Sequence, residues 1–307
     1  METCKTGFKY YGAKQKMVSK ILPLIPPHMI WAEPFCGSAA ITVGKPWPNV
    51  TSTSYYREAI NDNNRHIYNF YQVLQDEELT AKLMRKLEFT PYSRDERKKA
   101  YKVLQNPELF SKVEWAHAFF VQCNSGVGGL FRKGNFGFGK RSQNNVISSW
   151  LRYIDERLLT FARRLRHCYI ENINALDFIK KRDTEDTCFY VDPPYWNSRC
   201  EQYTKLTDNA LYTQKDFIEL VELLKKCKGS VILSCYPNEN MPADWGLIEF
   251  ETVRTTGKNT YSAGKETRNL RKTECVYFKP SSGYSDTLKK LIEKGQMDCF
   301  EEENLCK

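Results

Sequence analysis

Short apolar runs alternate with helix-like spacing near both ends of the 307-residue chain, and this alternation predicts an α/β fold with a mostly parallel sheet. A helix is predicted from about Lys14 to Leu24, because Pro26-Pro27 then stops it, and the apolar run 29–32 predicts the first strand. A second strand is expected at about 53–60. Later strands are predicted at Cys168–Ile173, Cys188–Asp192, Val231–Cys235, Leu247–Val253 and Glu274–Lys279.

The alternation stops between Glu77 and about Trp150, where charged helical stretches lead into a glycine-rich segment. Apolar residues around Arg132-Lys133-Gly134-Asn135 favour a hairpin with a basic tip over a flexible linker. The sequence therefore predicts a Rossmann-like core (1–70 and 165–281) interrupted by a mostly helical insert with a β-hairpin (71–164). Residues 282–307 are expected to form a C-terminal tail with a frayed acidic end.

The net charge of +9 is concentrated in that insert. Between Lys82 and Arg166 there are 18 Lys and Arg against 7 Asp and Glu, whereas the rest of the chain has 28 against 30. The stretch from Trp115 to Ile154 contains no carboxylate. A diffuse surplus would indicate an ordinary solvated face, but a surplus this segregated favours a surface that meets phosphates.

Several classes of protein are disfavoured by what the sequence does not contain. It has no apolar run near 18 residues and no signal-peptide pattern, so we expect a soluble cytoplasmic protein without a membrane partner. The 11 cysteines form no C-x-x-C pair and the 4 histidines are scattered, so no metal site is expected. The cysteines are interpreted as reduced core residues.

The sharpest motif is DPPY (192–195), which directly follows an apolar strand. In an open α/β sheet, ligands bind beyond the carboxyl ends of the strands, although a Pro-Pro turn alone would also explain the pattern. An exocyclic amine of a base is a poor nucleophile until acceptors on both N–H groups free its lone pair. Asp192 and the Pro193 carbonyl could be those acceptors, while Tyr195 stacks on a base swung out of the duplex.

A second motif, EPFCGSAA (33–40), lies at the end of the first strand. Its small residues let a ligand approach the backbone, yet it is neither a G-x-G-x-x-G nor a phosphate-binding loop. The motif therefore indicates a nucleoside-type cofactor other than a nicotinamide. Asp62 follows the second strand, where an acidic residue binds ribose hydroxyls; a helix N-cap is the alternative role.

These segments, together with FKYYGAK (8–14), INDNN (60–64) and the basic insert, occur in the order found in Dam-like adenine DNA methyltransferases, which the chain resembles over about 8–279. The resemblance implies S-adenosylmethionine as cofactor, double-stranded DNA as partner and N6 of a flipped adenine as target. Lys14 is expected to approach the cofactor's carboxylate, and Asp177-Phe178 is similar to the adenine-recognition segment. The implied cofactor-binding residues are Tyr10, Lys14, Glu33, Phe35, Gly37, Asp62, Asp177, Phe178 and Asp192.

The segment NSGVGGLFRKGNF (124–136) resembles the DNA-contacting hairpin of this family, with 129–132 at the core of the match. The predicted DNA-binding residues are Asn124, Arg132, Lys133, Lys140 and Arg141. Tyr10 stands where the family usually has Trp, and differences around the hairpin leave the recognition sequence open. Methylation of a cytosine amine, action on RNA and a catalytically idle DNA-binding regulator are the alternatives. The sequence does not decide whether a restriction endonuclease accompanies the protein.

Overall fold

A seven-stranded sheet organises the protein in the computed structural model. The described residues are 4–46, 55–126, 136–137, 145–196, 212–254, 270–281, 283–284, 286 and 288–290. The strands are β1 (Ile30–Glu33), β2 (Arg57–Asn61), β3 (Cys168–Glu171), β4 (Thr187–Val191), β5 (Ser230–Cys235), β6 (Gly246–Arg254) and β7 (Leu270–Phe278). All seven predicted strands are confirmed, with ends that shift by a few residues.

The strand order is β3-β2-β1-β4-β5-β7-β6. The first five strands run parallel, and β7 pairs antiparallel with both β5 and β6. Because β1 lies between β2 and β4, the chain leaves β1 toward one side of the sheet and returns to β4 on the other. This is the topological switch point at which open α/β sheets bind ligands. Glu33 ends β1, and Asp192 follows β4 at this same edge.

Ten α-helices are described, and six of them, α3 to α8, lie between β2 and β3. The helices are α1 (Val18–Ile21), α2 (Ala40–Gly44), α3 (Arg65–Gln75), α4 (Glu77–Glu88), α5 (Arg94–Gln105), α6 (Lys112–Ser125), α7 (Val146–Arg152), α8 (Leu158–Leu165), α9 (Ala175–Arg182) and α10 (Gln214–Lys226). The helix predicted at 14–24 is broken, because 3₁₀ turns at Lys14–Lys16 and Leu22–Leu24 flank α1. Pro23 lies in the second turn and has no N–H to continue an α-helix.

The inserted helices share one hydrophobic core with the sheet domain. Phe8 contacts the rings of Phe70 on α3, Phe119 on α6 and Phe161 on α8. All four side chains are fully buried. The predicted boundary at residue 70 also falls inside α3, so the insert is continuous with the core where they meet.

The first residues of the predicted tail pack on the sheet instead of leaving it. The Tyr284 hydroxyl donates to the Val231 carbonyl oxygen at 3.2 Å, and Leu288 is buried. The acidic end at 301–303 lies outside the described residues. Within the described ranges, no helix combines the length and apolarity needed to cross a membrane.

A cluster of charged side chains is buried beside the amino-terminal half of β2. Arg164 on α8 bonds to Glu58 on β2 at 2.6 Å and to the Thr42 carbonyl oxygen at 2.8 Å. The Lys45 ammonium lies 3.5 Å from Glu58 and donates to the Tyr56 hydroxyl at 2.6 Å. We call Lys45, Glu58 and Arg164 the buried ion-pair cluster; it ties the last helix of the insert to the sheet.

Candidate active site

The DPPY motif places Asp192 in an ion pair at the carboxyl end of β4. The Lys14 ammonium donates to both Asp192 carboxylate oxygens, at 2.7 and 2.8 Å, and to the Tyr195 hydroxyl at 3.0 Å. Lys14 reaches this position from the 3₁₀ turn at Lys14–Lys16. The structure therefore brings together residues that are 178 positions apart in the sequence.

A fourth residue, Glu274 on β7, completes this site and was not predicted. Its carboxylate lies 3.3 Å from the Lys14 ammonium, and its Oε1 accepts hydrogen bonds from the Tyr195 hydroxyl and, at 2.9 Å, from Ser234. We call Lys14, Asp192, Tyr195 and Glu274 the catalytic-edge cluster. In the sequence, Glu274 stands at the start of the predicted strand 274–279, where a charged residue resembles a solvated end.

The electrostatics of this cluster follow from two carboxylates that share one ammonium. Burial raises the pKa of Asp192; Lys14 opposes that rise and Glu274 adds to it. Burial alone would lower the pKa of Lys14, but Asp192 and Glu274 together raise it above its ordinary value. Lys14 therefore stays charged, and it is shared between the two carboxylates at this edge of the sheet.

A second group of predicted residues meets at the loop after β1. Gly37 has a positive φ of 49°, and a Cβ at this position would lie 3.2 Å from a ring carbon of Tyr10. The Gly37 N–H donates to an Asp62 carboxylate oxygen at 2.8 Å. Only glycine combines this conformation with such a close aromatic contact. Tyr10, Gly37 and Asp62 thus form one wall, and their predicted contact with a cofactor stays a prediction.

Asp62 organises that wall with both carboxylate oxygens. The other oxygen accepts from the Asn64 N–H at 2.8 Å, and Asn64 itself caps α3 through the His66 N–H. The alternative role of Asp62 as the helix cap is therefore taken by Asn64. Burial raises the pKa of Asp62 to about 6, although its two backbone hydrogen bonds lower it in part.

Glu33 and Phe35 lie at the start of the same loop. Glu33 is buried and accepts from the Thr42 hydroxyl, and burial raises its pKa to about 8. The nearby Asp192 also raises the pKa of Glu33, so the two predicted sites are electrostatically coupled. Phe35 is half-buried and contacts the Tyr212 ring edge to face.

Asn61 was not singled out from the sequence, yet it fastens two loops of the site together. Its side-chain amide donates to the carbonyl oxygens of Pro34 and Ile173, at 3.0 and 3.1 Å. Its side-chain oxygen accepts from the Ile173 N–H at 3.0 Å. The INDNN segment was the available signal, because a polar residue that ends a buried strand needs partners.

Asp177 and Phe178 lie at the start of α9 and differ sharply in environment. Phe178 is fully buried with the Arg182 guanidinium 5.1 Å from its ring centre. Asp177 is exposed, and its carboxylate lies 3.9 Å from Lys180. Neither residue belongs to the catalytic-edge cluster, and their proposed contact with adenine stays a prediction.

The predicted DNA contact of Asn124 does not agree with its position on α6. Its side chain is buried; its oxygen accepts from the Lys9 N–H at 3.1 Å, and its amide donates to the Phe120 carbonyl at 3.0 Å. Asn124 therefore fixes the N-terminal segment to the insert. The other four predicted contacts, Arg132, Lys133, Lys140 and Arg141, lie outside the described residues. At the base of the predicted hairpin, Gly126 and Phe136 form an antiparallel bridge.

Comparisons with known proteins place the chain in a family. Residues 10–256 match the model of the D12 class N6 adenine-specific DNA methyltransferases. No curated protein matches the chain significantly. A solved structure described as "Putative methyltransferase yhhF from Escherichia coli" aligns over 87% of this chain and 85% of its own, with 12% identity and a TM-score of 0.32.

The match spans most of the chain, including the wall formed by Tyr10, Gly37 and Asp62 and most of the catalytic-edge cluster. It identifies an enzyme that moves a methyl group from a donor to an adenine of DNA. The sheet order and the position of DPPY agree with that assignment. The protein belongs to the D12 class of N6 adenine-specific DNA methyltransferases.

Proposed function

We propose that the protein transfers the methyl group of S-adenosylmethionine to N6 of an adenine flipped out of double-stranded DNA at a specific sequence. The single observation that carries this proposal is the position of Asp192. Its carboxylate lies at the switch point after β4, where Lys14 and Tyr195 fix its orientation. A carboxylate there is ready to accept a hydrogen bond from the amine of a base.

The residues after β1 and β2 fit a nucleoside-type cofactor. Tyr10 offers an aromatic face, Asp62 offers carboxylate lone pairs for ribose hydroxyls, and Gly37 lets the loop after β1 pass close to the Tyr10 ring. The Ser38 hydroxyl in the same loop is buried without a hydrogen-bond partner, which suits a site that gains a polar ligand. When bound, the cofactor supplies an electrophilic methyl group. Glu33, Phe35, Asp177 and Phe178 would complete the site.

The protein's part in the reaction is to make the adenine amine nucleophilic. Asp192 and the Pro193 carbonyl would accept its two N–H groups, which draws the nitrogen toward tetrahedral geometry and frees its lone pair. Tyr195 would stack on the flipped base, an interaction worth about 1–3 kcal/mol in related contacts. In its ionised form, Asp192 would stabilise the positive charge that develops on the nitrogen.

The insert, residues 71–164, supplies the DNA contacts in this proposal. Its excess positive charge suits the phosphate backbone, whose contacts set affinity and its salt dependence. Arg132 would read a base edge, because a guanidinium can make two hydrogen bonds to guanine in the major groove. Lys133, Lys140 and Arg141 would contact phosphates.

The test is to replace Asp192 with the isosteric amide. Asp192→Asn should lower the rate of methyl transfer to unmethylated genomic DNA by about 10²–10³, equivalent to about 2.7–4 kcal/mol of barrier. The thermal midpoint should change little, because the side chain lies at the edge of the sheet. Asp186→Asn is the matched control, since Asp186 is an exposed carboxylate just before the same strand. An Asp192→Asn enzyme with more than a tenth of the wild-type rate would contradict the assignment.

A further inference from the structure

The Tyr195 hydroxyl has one proton and two carboxylates within reach. It lies 3.1 Å from Asp192 Oδ1, and its contact with Glu274 Oε1 is shorter. A hydroxyl can donate its single proton to only one acceptor at a time. Asp192 Oδ1 already accepts from the Lys14 ammonium at 2.7 Å, and donation of the Tyr195 proton to Glu274 leaves Asp192 Oδ1 free of that proton. Asp192 Oδ1 can then accept a hydrogen bond from the amine of a base.

Glu274 is itself held rigidly. It lies within β7, and its Oε1 accepts from the Ser234 hydroxyl on the neighbouring strand β5 at 2.9 Å. Both side chains are buried, and the backbones of Ser234 and Cys235 pair in register with Val276 and Cys275. The carboxylate is therefore a fixed anchor on the sheet, whereas Tyr195 and Lys14 reach it from loops and turns.

We propose that Glu274 is a positioning residue for methyl transfer: it holds Lys14 and the Tyr195 hydroxyl so that Asp192 stays oriented and available to the target amine. This inference rests on the proposed function of Asp192 and Tyr195. Without Glu274, the Tyr195 proton would turn to Asp192 Oδ1, and the Lys14 ammonium, which already donates to both Asp192 oxygens, would lose the second carboxylate that shares it. Glu274 acts through these neighbours and needs no contact with substrate.

Loss of the Glu274 charge should change how the rate of methyl transfer depends on pH. Asp192 must be ionised to accept the amine, so the rate falls as the pH drops through the pKa of Asp192. Glu274 raises that pKa and Lys14 and Tyr195 lower it, so removing the Glu274 charge should move the acid limb of the profile to lower pH. The other titratable groups coupled to Asp192 are Glu33, Tyr190 and Cys235.

The experiment measures single-turnover methyl transfer to unmethylated genomic DNA against pH, with saturating labelled S-adenosylmethionine. Glu274→Gln should slow the reaction at least about tenfold and move the acid limb to lower pH. Glu251→Gln, an exposed carboxylate on the adjacent strand β6, is the control and should match the wild type. Glu274→Asp keeps the charge but shortens the anchor, so it should lose rate while the limb stays in place. If Glu274→Gln fails to fold, Glu274→Asp still tests the proposal.

A double-mutant cycle shows whether Glu274 works through Tyr195. The combination of Glu274→Gln with Tyr195→Phe should be less damaging than the product of the two single effects, because each change breaks the same hydrogen bond. Full rate with an unchanged pH profile in Glu274→Gln, or effects that multiply, would overturn the proposal. If Asp192→Asn stays active, the proposed function fails first; if it is inactive while Glu274→Gln is normal, only the positioning role fails.

Discussion

Two charged clusters on the same sheet have opposite ratios of cations to carboxylates. In the catalytic-edge cluster one cation, Lys14, serves two carboxylates, and the side chains of Lys14, Asp192 and Glu274 are 11%, 17% and 10% exposed. In the buried ion-pair cluster two cations serve one carboxylate, and the side chains of Arg164 and Glu58 are 0% and 1% exposed. One cluster is open at the end of the strands, whereas the other is sealed between helix and sheet.

The two clusters also differ in which charged group is in excess, the cation or the carboxylate. In the sealed cluster, burial lowers the pKa of Lys45 to about 8, so the surplus cation is close to losing its proton. Arg164 stays charged and holds the pKa of Glu58 below its ordinary value despite burial. At the catalytic edge the carboxylates outnumber the cation, and a substrate amine can use them as acceptors. Removing one partner of a sealed ion pair leaves an uncompensated buried charge, whereas an open cluster with perturbed pKa values is typical of a functional site.

The largest expected effect is on the sealed cluster. Arg164→Met leaves the buried Glu58 carboxylate with Lys45, Tyr56 and the Cys168 thiol and removes a hydrogen bond to the Thr42 carbonyl. Breaking a buried pair in this way costs about 3–5 kcal/mol of unfolding free energy. Chemical denaturation of the purified variant measures this loss.

The matched control is Arg163→Met on the same helix, because Arg163 is exposed and should change stability by less than about 0.5 kcal/mol. At a temperature where Arg164→Met is folded, its rate of methyl transfer per folded molecule should be near the wild-type value. Equal stability of the two variants would mean that the sealed cluster contributes nothing. A large loss of rate in folded Arg164→Met would show that the buried ion-pair cluster also affects the chemistry at the catalytic edge.

A smaller effect is expected at Asp62, which is half-buried after β2. If its carboxylate accepts from ribose hydroxyls, Asp62→Asn should weaken S-adenosylmethionine binding by about 1.5–3 kcal/mol. The raised pKa of about 6 gives a pH signature, because protonation removes the acceptor. Wild-type affinity should therefore fall as the pH drops from 7.5 to 5, and the variant should show a flatter dependence.

Calorimetry without DNA measures this, with Asp95→Asn as the control because Asp95 is an exposed carboxylate on α5. Unchanged affinity in Asp62→Asn would remove Asp62 from the cofactor site. Its hydrogen bonds to Gly37 and Asn64 would then be its whole role.

The sequence could predict the residues that sit at strand ends. Asp192, Gly37 and Asp62 each follow an apolar run, and parallel strands bring such positions to one edge of a sheet. Glu274 could not be found in this way, because it lies inside β7 and 79 residues beyond Tyr195. The predicted strand began at Glu274, which made the residue look like a solvated end, whereas the observed strand begins at Leu270.

Tertiary contacts also decide what a polar residue does. Asn124 belongs to a segment that resembles a DNA-contacting hairpin, yet α6 buries it against Lys9 and Phe120. Lys14 was expected near a cofactor carboxylate, and the structure shows it on two carboxylates of the protein. The periodicity of apolar residues predicted the helices and strands, but it does not show which side chains meet across the core.

In the proposed reaction, the enzyme methylates the N6 amine of adenine through Asp192. The most direct measurement is nucleoside mass spectrometry of DNA from cells expressing the protein, combined with sequencing that maps each methylated base. Wild-type protein should yield N6-methyladenine within one defined sequence, and Asp192→Asn, expressed at the same level, should yield none above background. N4-methylcytosine in place of N6-methyladenine, or equal adenine methylation by both proteins, would contradict the claim.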